Sequence, residues 1–132
     1  MQTRDLIDYL ITQGFNVFPQ PNFIPAEIKE SQLPALFVFG TGGFSSHDYL
    51  PIDRPTFQVI VKGKSFKQDS ISMSLAEQEA KRLIIFLDKK TNYAIGNFHI
   101  YLSRTNQSNP IPLGLDDKDR PIFSVNFTFR IS

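Results

Sequence analysis

The chain has no cysteine and no tryptophan. The first absence excludes disulfides and thiolate metal sites, and it fits a reducing compartment. No apolar run approaches the ~18 residues of a membrane-spanning helix, so no membrane association is expected. The opening stretch MQTRDLIDYL carries Asp5 and Asp8 and no apolar core of the kind that marks a secretory leader. Charge of one sign is also scarce. Fourteen Lys and Arg against thirteen Asp and Glu leave a formal net charge of +1, with no block of basic residues. Nucleic-acid binders usually carry a basic patch or stripe, so the balance weighs against that class, although a basic face can hide in a neutral total.

What is present is an ordinary globular composition rich in one aromatic. Of 132 residues, 41% are hydrophobic, 20% charged and 13 are Phe. A chain of this length fits one domain, spanning 1–132. Compaction at this size removes roughly two thirds of the unfolded chain's surface from water, enough for one core. That core is expected to be Phe packed on Val, Ile and Leu.

Periodicity places the elements. TRDLIDYLITQG (3–14) puts Leu6, Ile7, Leu10 and Ile11 on one helical stripe, with Thr3 placed to cap the start and Gly14 to end it. FNVFP (15–19) reads as a short strand. Four prolines between positions 19 and 34 forbid a regular element there. ALFVFG (35–40) reads as a buried strand, 41–53 as loop, and PTFQVIVKG (55–63) as a strand with Phe57, Val59 and Val61 on one side. From 69 to 89 a helical stripe recurs at Ile71, Leu75, Ala76, Ala80, Leu83, Ile84 and Leu87, capped by Asp69 or by the Ser74/Glu77 pair. NFHIYLSR (97–104) alternates, with Phe98, Ile100 and Leu102 on one face. Residues 105–119 read as loop. The last segment, 121–131, alternates most cleanly, with Phe123, Val125, Phe127, Phe129 and Ile131 on one face. The expected fold is α+β: a single domain with a mostly antiparallel sheet of four to five strands, two main helices on one face, α(β)ββαββ order and long inter-strand loops.

One short phrase occurs twice: DRPTFQV at 53–59 and DRPIFSV at 119–125. Proline fixes its own φ, lacks an N–H and holds its predecessor extended, which suits the first residue of a strand. The phrase thus reads as a strand-start device used twice, with Asp and Arg as turn residues in water. A shared Asp/Arg binding site is the alternative.

Catalytic signatures are sparse. Gly63-Lys64-Ser65 follows a strand and precedes a helix, as in a phosphate-binding loop, but Gln58 stands where the full pattern needs glycine. A polar loop is the better reading. His47 and His99 have no motif partner; a metal would need them gathered with a carboxylate such as Asp48. LDDKD (115–119) lacks calcium-loop spacing and reads as a hairpin tip. There is no G-x-S-x-G and no nucleophile with an evident base. No enzyme activity, cofactor, catalytic residue or metal site is therefore expected.

The loops carry more information. Three long segments without regular structure contrast with a usual loop median of about 4–6 residues. They hold Phe23, Ile24, Ile28, Phe44, Tyr49, Leu50, Ile52, Ile111, Leu113 and Leu115. Such residues either lie on neighbouring subunits or fold over the domain's own core edges. The interface candidates are Phe23, Ile24, Phe44, His47, Tyr49, Leu50, Asp53, Arg54, Ile111, Leu113, Leu115, Asp119 and Arg120.

The layout of an N-terminal helix, a buried strand, DRPTFQVIVKGKSF, the long helix SMSLAEQEAKRLIIFL and the closing DRPIFSVNFTFRI resembles the tail-terminator family of tailed bacteriophages, whose members are also labelled tail-completion or minor capsid proteins. The likeness runs from about Leu33 to the end and includes no catalytic motif. It implies an α+β fold with helices on one side of a sheet, and a homohexameric ring on the last tail-tube ring. That ring stops tube growth and offers a surface to head-completion or neck proteins. It further implies that genomic DNA passes through the lumen without specific binding, and a virion tail or neck location after assembly in the host cytoplasm. Alternatives are another head–tail joining or connector protein, a small phosphate- or nucleotide-binding protein using Lys64, and a nucleic-acid-binding module.

Overall fold

The computed structural model describes residues 1–45 and 49–132. Helix α1 (Thr3–Thr12) is followed by a long segment that contains one 3-10 turn (Glu30–Gln32). Strands β1 (Ala35–Gly40) and β2 (Thr56–Lys62) come next, then helix α2 (Ser72–Leu87), then β3 (Lys90–Ile95), β4 (Phe98–Thr105), β5 (Ile111–Leu115) and β6 (Pro121–Ile131). The strands form one antiparallel sheet of six in the order β1-β2-β6-β4-β3, with β5 also paired to β6. The fold is α+β, with one strand more than the upper expectation.

Local signals explain the boundaries. In α1 the amide of Gln2 donates to Asp5 Oδ2 at 2.7 Å, so an acidic third residue ties down the start, and Thr3 is already helical. At the other end, the amide of Gly14 donates to the Ile11 carbonyl and that of Phe15 to the Leu10 carbonyl. With Gly14 at φ +92°, this is the left-handed closure that only glycine adopts without strain. Asp69 Oδ1 accepts the Ile71 amide just before α2. The Ser74/Glu77 alternative lies inside the helix.

Both helices pack on one sheet face. Leu6, Ile7 and Leu10 of α1 and Ala76, Ala80, Leu83 and Leu87 of α2 meet Val38, Phe57, Val59, Val61, Phe123, Val125, Phe127 and Phe129. Phe57 and Phe129 sit edge to face at 5.5 Å. Each of the Leu, Ile, Val and Phe side chains contributes roughly 1.5–3 kcal/mol by leaving water, so this layer dominates stability. The stripes are narrower than expected: Ile11, Ile71 and Leu75 are exposed.

Three expectations need correction. FNVFP forms only a single parallel bridge, Val17 to Leu36, because the prolines behind it prevent further pairing. Leu102 does not share the face of Ile100. The β4–β6 register shifts between Ile100 and Leu102, which turns Ser103 inward, where its Oγ donates to the Leu87 carbonyl at 2.7 Å. Two strands were also missed. β3 pairs with β4 through the two-residue loop Gly96-Asn97, with Gly96 at φ +57°, and β5 lies within the supposed 105–119 loop.

The face opposite the helices divides into two halves. Toward β1, the residues Leu33, Ala35, Phe37 and Ile60 form a second buried cluster, against which Phe18, Ile24, Ile28, Phe39 and Ile122 pack. The proline-rich segment folds back to cover them. Toward β4, the same face shows Gln58, Asn126, Thr128, Arg104 and Arg130, and no element among the described residues covers it.

Candidate docking surface

The two Asp-Arg-Pro turns position the long segments, and they do so differently. In the second turn Asp116 orders the hairpin between β5 and β6. Its Oδ1 accepts the amides of Lys118 at 2.8 Å and Arg120 at 2.9 Å, and its Oδ2 pairs with Lys62 Nζ at 2.9 Å. Burial pushes the Asp116 carboxyl up, but the hydrogen bond from Lys62 and those two amides outweigh it and hold the group below its ordinary range. Arg120 then runs under the proline-rich segment. Its Nε donates to Glu30 Oε1 at 2.9 Å and its Nη2 to the Ile28 carbonyl at 2.7 Å, and the residue is only 4% exposed. Glu30 Oε2 accepts the Ser65 amide at 3.0 Å, so an ion pair between buried Arg120 and half-buried Glu30 ties three segments together. The expectation that both arginines stay in water fails here, because the covering segment removes Arg120 from solvent.

In the first turn, Asp53 and Ile131 exchange backbone hydrogen bonds of 2.9 Å, which docks the turn on the end of β6. Arg54 reaches the Ser45 carbonyl with Nε at 3.1 Å and Nη2 at 2.6 Å, and its guanidinium lies 5.7 Å from the Phe44 ring centroid. Gly43 has φ +94°, and a Cβ there would lie 2.5 Å from the Arg54 carbonyl oxygen, so the approach of loop to turn requires glycine. Each arginine therefore holds a carbonyl of a neighbouring long segment; Arg120 does so inside the fold and Arg54 at its surface.

Beside Arg54, a groove of about 240 Å³ opens on the bare half of the sheet face. It is lined by Arg54, Arg104 and Arg130 with Phe44, Leu102, Asn106 and Thr128. Cross-strand register gathers them: Arg104 stands opposite Thr128, and Leu102 opposite Arg130. Neither Arg104 nor Arg130 forms an ion pair among the described residues. Phe44 in the groove lining is 60% exposed, and Tyr49 and Leu50, further along the same loop, are exposed as well. At the far end of β6, β5 presents exposed Ile111, Leu113 and Leu115, and no strand among the described residues pairs with its outer edge.

The interface candidates thus fall into distinct environments. Phe23, Phe44, Tyr49, Leu50, Ile111, Leu113 and Leu115 are exposed. Asp53 is exposed and Arg54 half-buried. Ile24 packs on the second core cluster, Asp119 pairs with Lys67 at 3.0 Å, and Arg120 is buried, so these three already have partners within the chain. His47 lies outside the described residues. Sequence reasoning missed Arg104, Arg130 and Leu102, which sit at polar or half-apolar strand positions that carry no local signal. It also missed Ile85, 80% exposed on the outer side of α2, whose neighbours Leu83, Ile84 and Leu87 are buried.

No catalytic arrangement emerges from the described residues. Ser65, the last residue of the Gly63-Lys64-Ser65 run, has its amide taken by the Glu30 carboxylate, whose negative charge disfavours a phosphate there. Gly63 serves packing: a Cβ there would come within 2.9 Å of the Ala76 Cβ. Among the described residues no group of three or more metal-ligating side chains occurs, and no helix is long and apolar enough to cross a membrane. The family model described as bacteriophage tail terminator protein matches residues 9–132, and the chain belongs to that family. No curated protein matches it. Its class is a structural component of the phage tail.

Proposed function

We propose that copies of this chain close into a ring, hexameric as the family resemblance implies, on the last ring of the tail tube. There they end tube growth and present a face for head-completion or neck proteins. One observation carries this reading: a single small domain leaves apolar side chains exposed at both ends of β6, Phe44, Tyr49 and Leu50 at one and Ile111, Leu113 and Leu115 at the other. Two unlike sticky surfaces on one subunit favour heterologous contacts, which form a closed ring when the rotation permits. A ring with unlike faces needs no chemistry to stop polymerisation, because one face copies what a tube subunit offers and the other does not. The near-neutral total charge suits a lumen through which genomic DNA slides without being held. The location is the virion tail or neck, after assembly in the host cytoplasm.

Electron microscopy of the purified protein with tail tubes tests this reading. A ring at one tube end, and tubes of uncontrolled length when the protein is omitted, are expected. Tails of normal, uniform length made without the protein overturn it.

A further inference from the structure

The arginine groove and the β5–β6 hairpin tip are complementary, and they lie at opposite ends of the same strand. The groove holds Arg54, Arg104 and Arg130 between the apolar walls of Phe44 and Leu102. Arg54 is already engaged by the Ser45 carbonyl, while Arg104 and Arg130 have no ion-pair partner among the described residues. A guanidinium fork takes carboxylate or phosphate equally well. The surroundings favour a carboxylate on a protein. Positive charge does not continue across the sheet face, which carries the neutral Gln58, Asn126 and Thr128 beside the groove, and Lys89, next to Arg104, stands with Asp88; a nucleic-acid track would continue the charge along a stripe.

The hairpin tip has the matching chemistry. Asp116 and Asp119 are committed to Lys62 and Lys67, but Asp117 is exposed and forms no ion pair among the described residues. Behind it stand exposed Leu113 and Leu115. The tip is held in shape before any encounter, because Asp116 Oδ1 accepts two amides of the turn, so little ordering entropy is lost on docking. β6 runs from Pro121 beside the tip to Arg130 at the groove. At ~3.3 Å per residue they are about 30 Å apart, so a chain cannot fill its own groove.

We propose that the groove receives the hairpin tip of a second copy of this chain, with Asp117 between Arg104 and Arg130 and the tip leucines against Phe44 and Leu102. The inference rests on the ring reading above and names the contact that joins neighbours. Because donor and acceptor lie at opposite ends of each subunit, the contact is head to tail.

Charge reversal with complementation tests it. Variant one is Asp117→Arg; variant two combines Arg104→Glu and Arg130→Glu. All three sites are exposed, and unchanged melting temperatures establish that each variant folds. Each alone is expected to lose rings on tail tubes, by at least tenfold in rings counted by electron microscopy. An equimolar mixture is expected to restore them, because the basic tip of one fits the acidic groove of the other in alternation. Rings formed by either variant alone at the wild-type level, or losses that the mixture does not repair, overturn the proposed contact while the ring reading stands. Absence of rings with wild-type protein instead removes the ring reading itself. A second measurement uses the lack of native cysteine: Lys118→Cys with Ser132→Cys in one chain, exposed positions beside Asp117 and Arg130 that keep both charges, treated with a short bismaleimide on tubes, should give a ladder beyond dimer. A ladder that stops at dimer refutes the contact. Binding of a 30-base-pair duplex by wild type that variant two loses, with ring formation intact, assigns the groove to nucleic acid and overturns the proposal.

Discussion

The two halves of the sheet face opposite the helices are built from the same strands and end differently. On the β1 side, Phe37 and Ile60 lie under the proline-rich segment, and Arg120 is locked to Glu30 beneath it. On the β4 side, Arg104 and Arg130 stand in the open, and Arg54 holds only a loop carbonyl and an aromatic ring. The same Asp-Arg-Pro phrase therefore yields a stability element in one place and a rim residue in the other. What differs is whether a covering segment removes the guanidinium from water. Removing a buried guanidinium strips the covering segment of its hydrogen bonds, whereas water replaces most of what an exposed one supplies.

That contrast can be broken most sharply at Arg120. Arg120→Ala removes the buried guanidinium whose bonds to Glu30 and the Ile28 carbonyl hold the proline-rich segment down, and a loss of about 2–4 kcal/mol is expected in denaturant unfolding. A loss under 1 kcal/mol would mean that the covered half is not held by this pair. Asp116→Asn keeps the turn's amide acceptor but leaves Lys62, whose side chain is 11% exposed, unpaired. About 1–3 kcal/mol should be lost. This variant also carries the pH dependence. The Asp116 carboxyl is depressed in the folded state, so its contribution is present above the ordinary carboxylate pKa of about 4 and is lost as pH falls through the lower folded value. The acid limb of the stability profile should therefore be shallower in Asp116→Asn, and an unchanged limb would contradict the assignment.

On the open half the effects on folding shrink. Arg54→Ala removes hydrogen bonds to one carbonyl at the surface and should cost no more than about 1 kcal/mol. Its mark should be faster proteolytic cutting within residues 41–54, read by mass spectrometry of the fragments. Arg130→Ala should leave the unfolding midpoint unchanged within error, since no partner is orphaned; a clear shift would show the bare half to be structural after all.

The helices and four of the strands were legible in the residues, for reasons that can be named. The stripe of Leu6, Ile7 and Leu10, Gly14 behind it, and the strict alternation from Phe123 to Ile131 are local patterns that report burial through the 3.6 and 2.0 periods of helix and strand. β3 escaped because Lys90, Thr91 and Asn92 look like loop. The Gly96-Asn97 pair between Ile95 and Phe98 was a usable hairpin signal that went unread. β5 escaped because Pro112 and Gly114 argue against a strand, and it pairs only because the first residues of β6 need a neighbour on that side. The exposed candidates on the loops were identifiable by apolarity alone. Arg120 was misplaced, and Arg104 and Arg130 were overlooked, because solvent access of a charged side chain depends on what folds across it.

By itself, then, the order of residues determined the elements whose patterning is local: where helices start and stop, which strand positions turn inward, and that no disulfide exists. Tertiary structure alone decided which half of the second face is covered, which of two identical turns is buried, and which arginines share a groove. Those outcomes depend on cross-strand register and on the path of the proline-rich segment, both of which bring together residues up to 92 positions apart. No local period encodes such distances, because the free energy that selects them comes from burial and pairing among parts that meet only once the sheet is assembled.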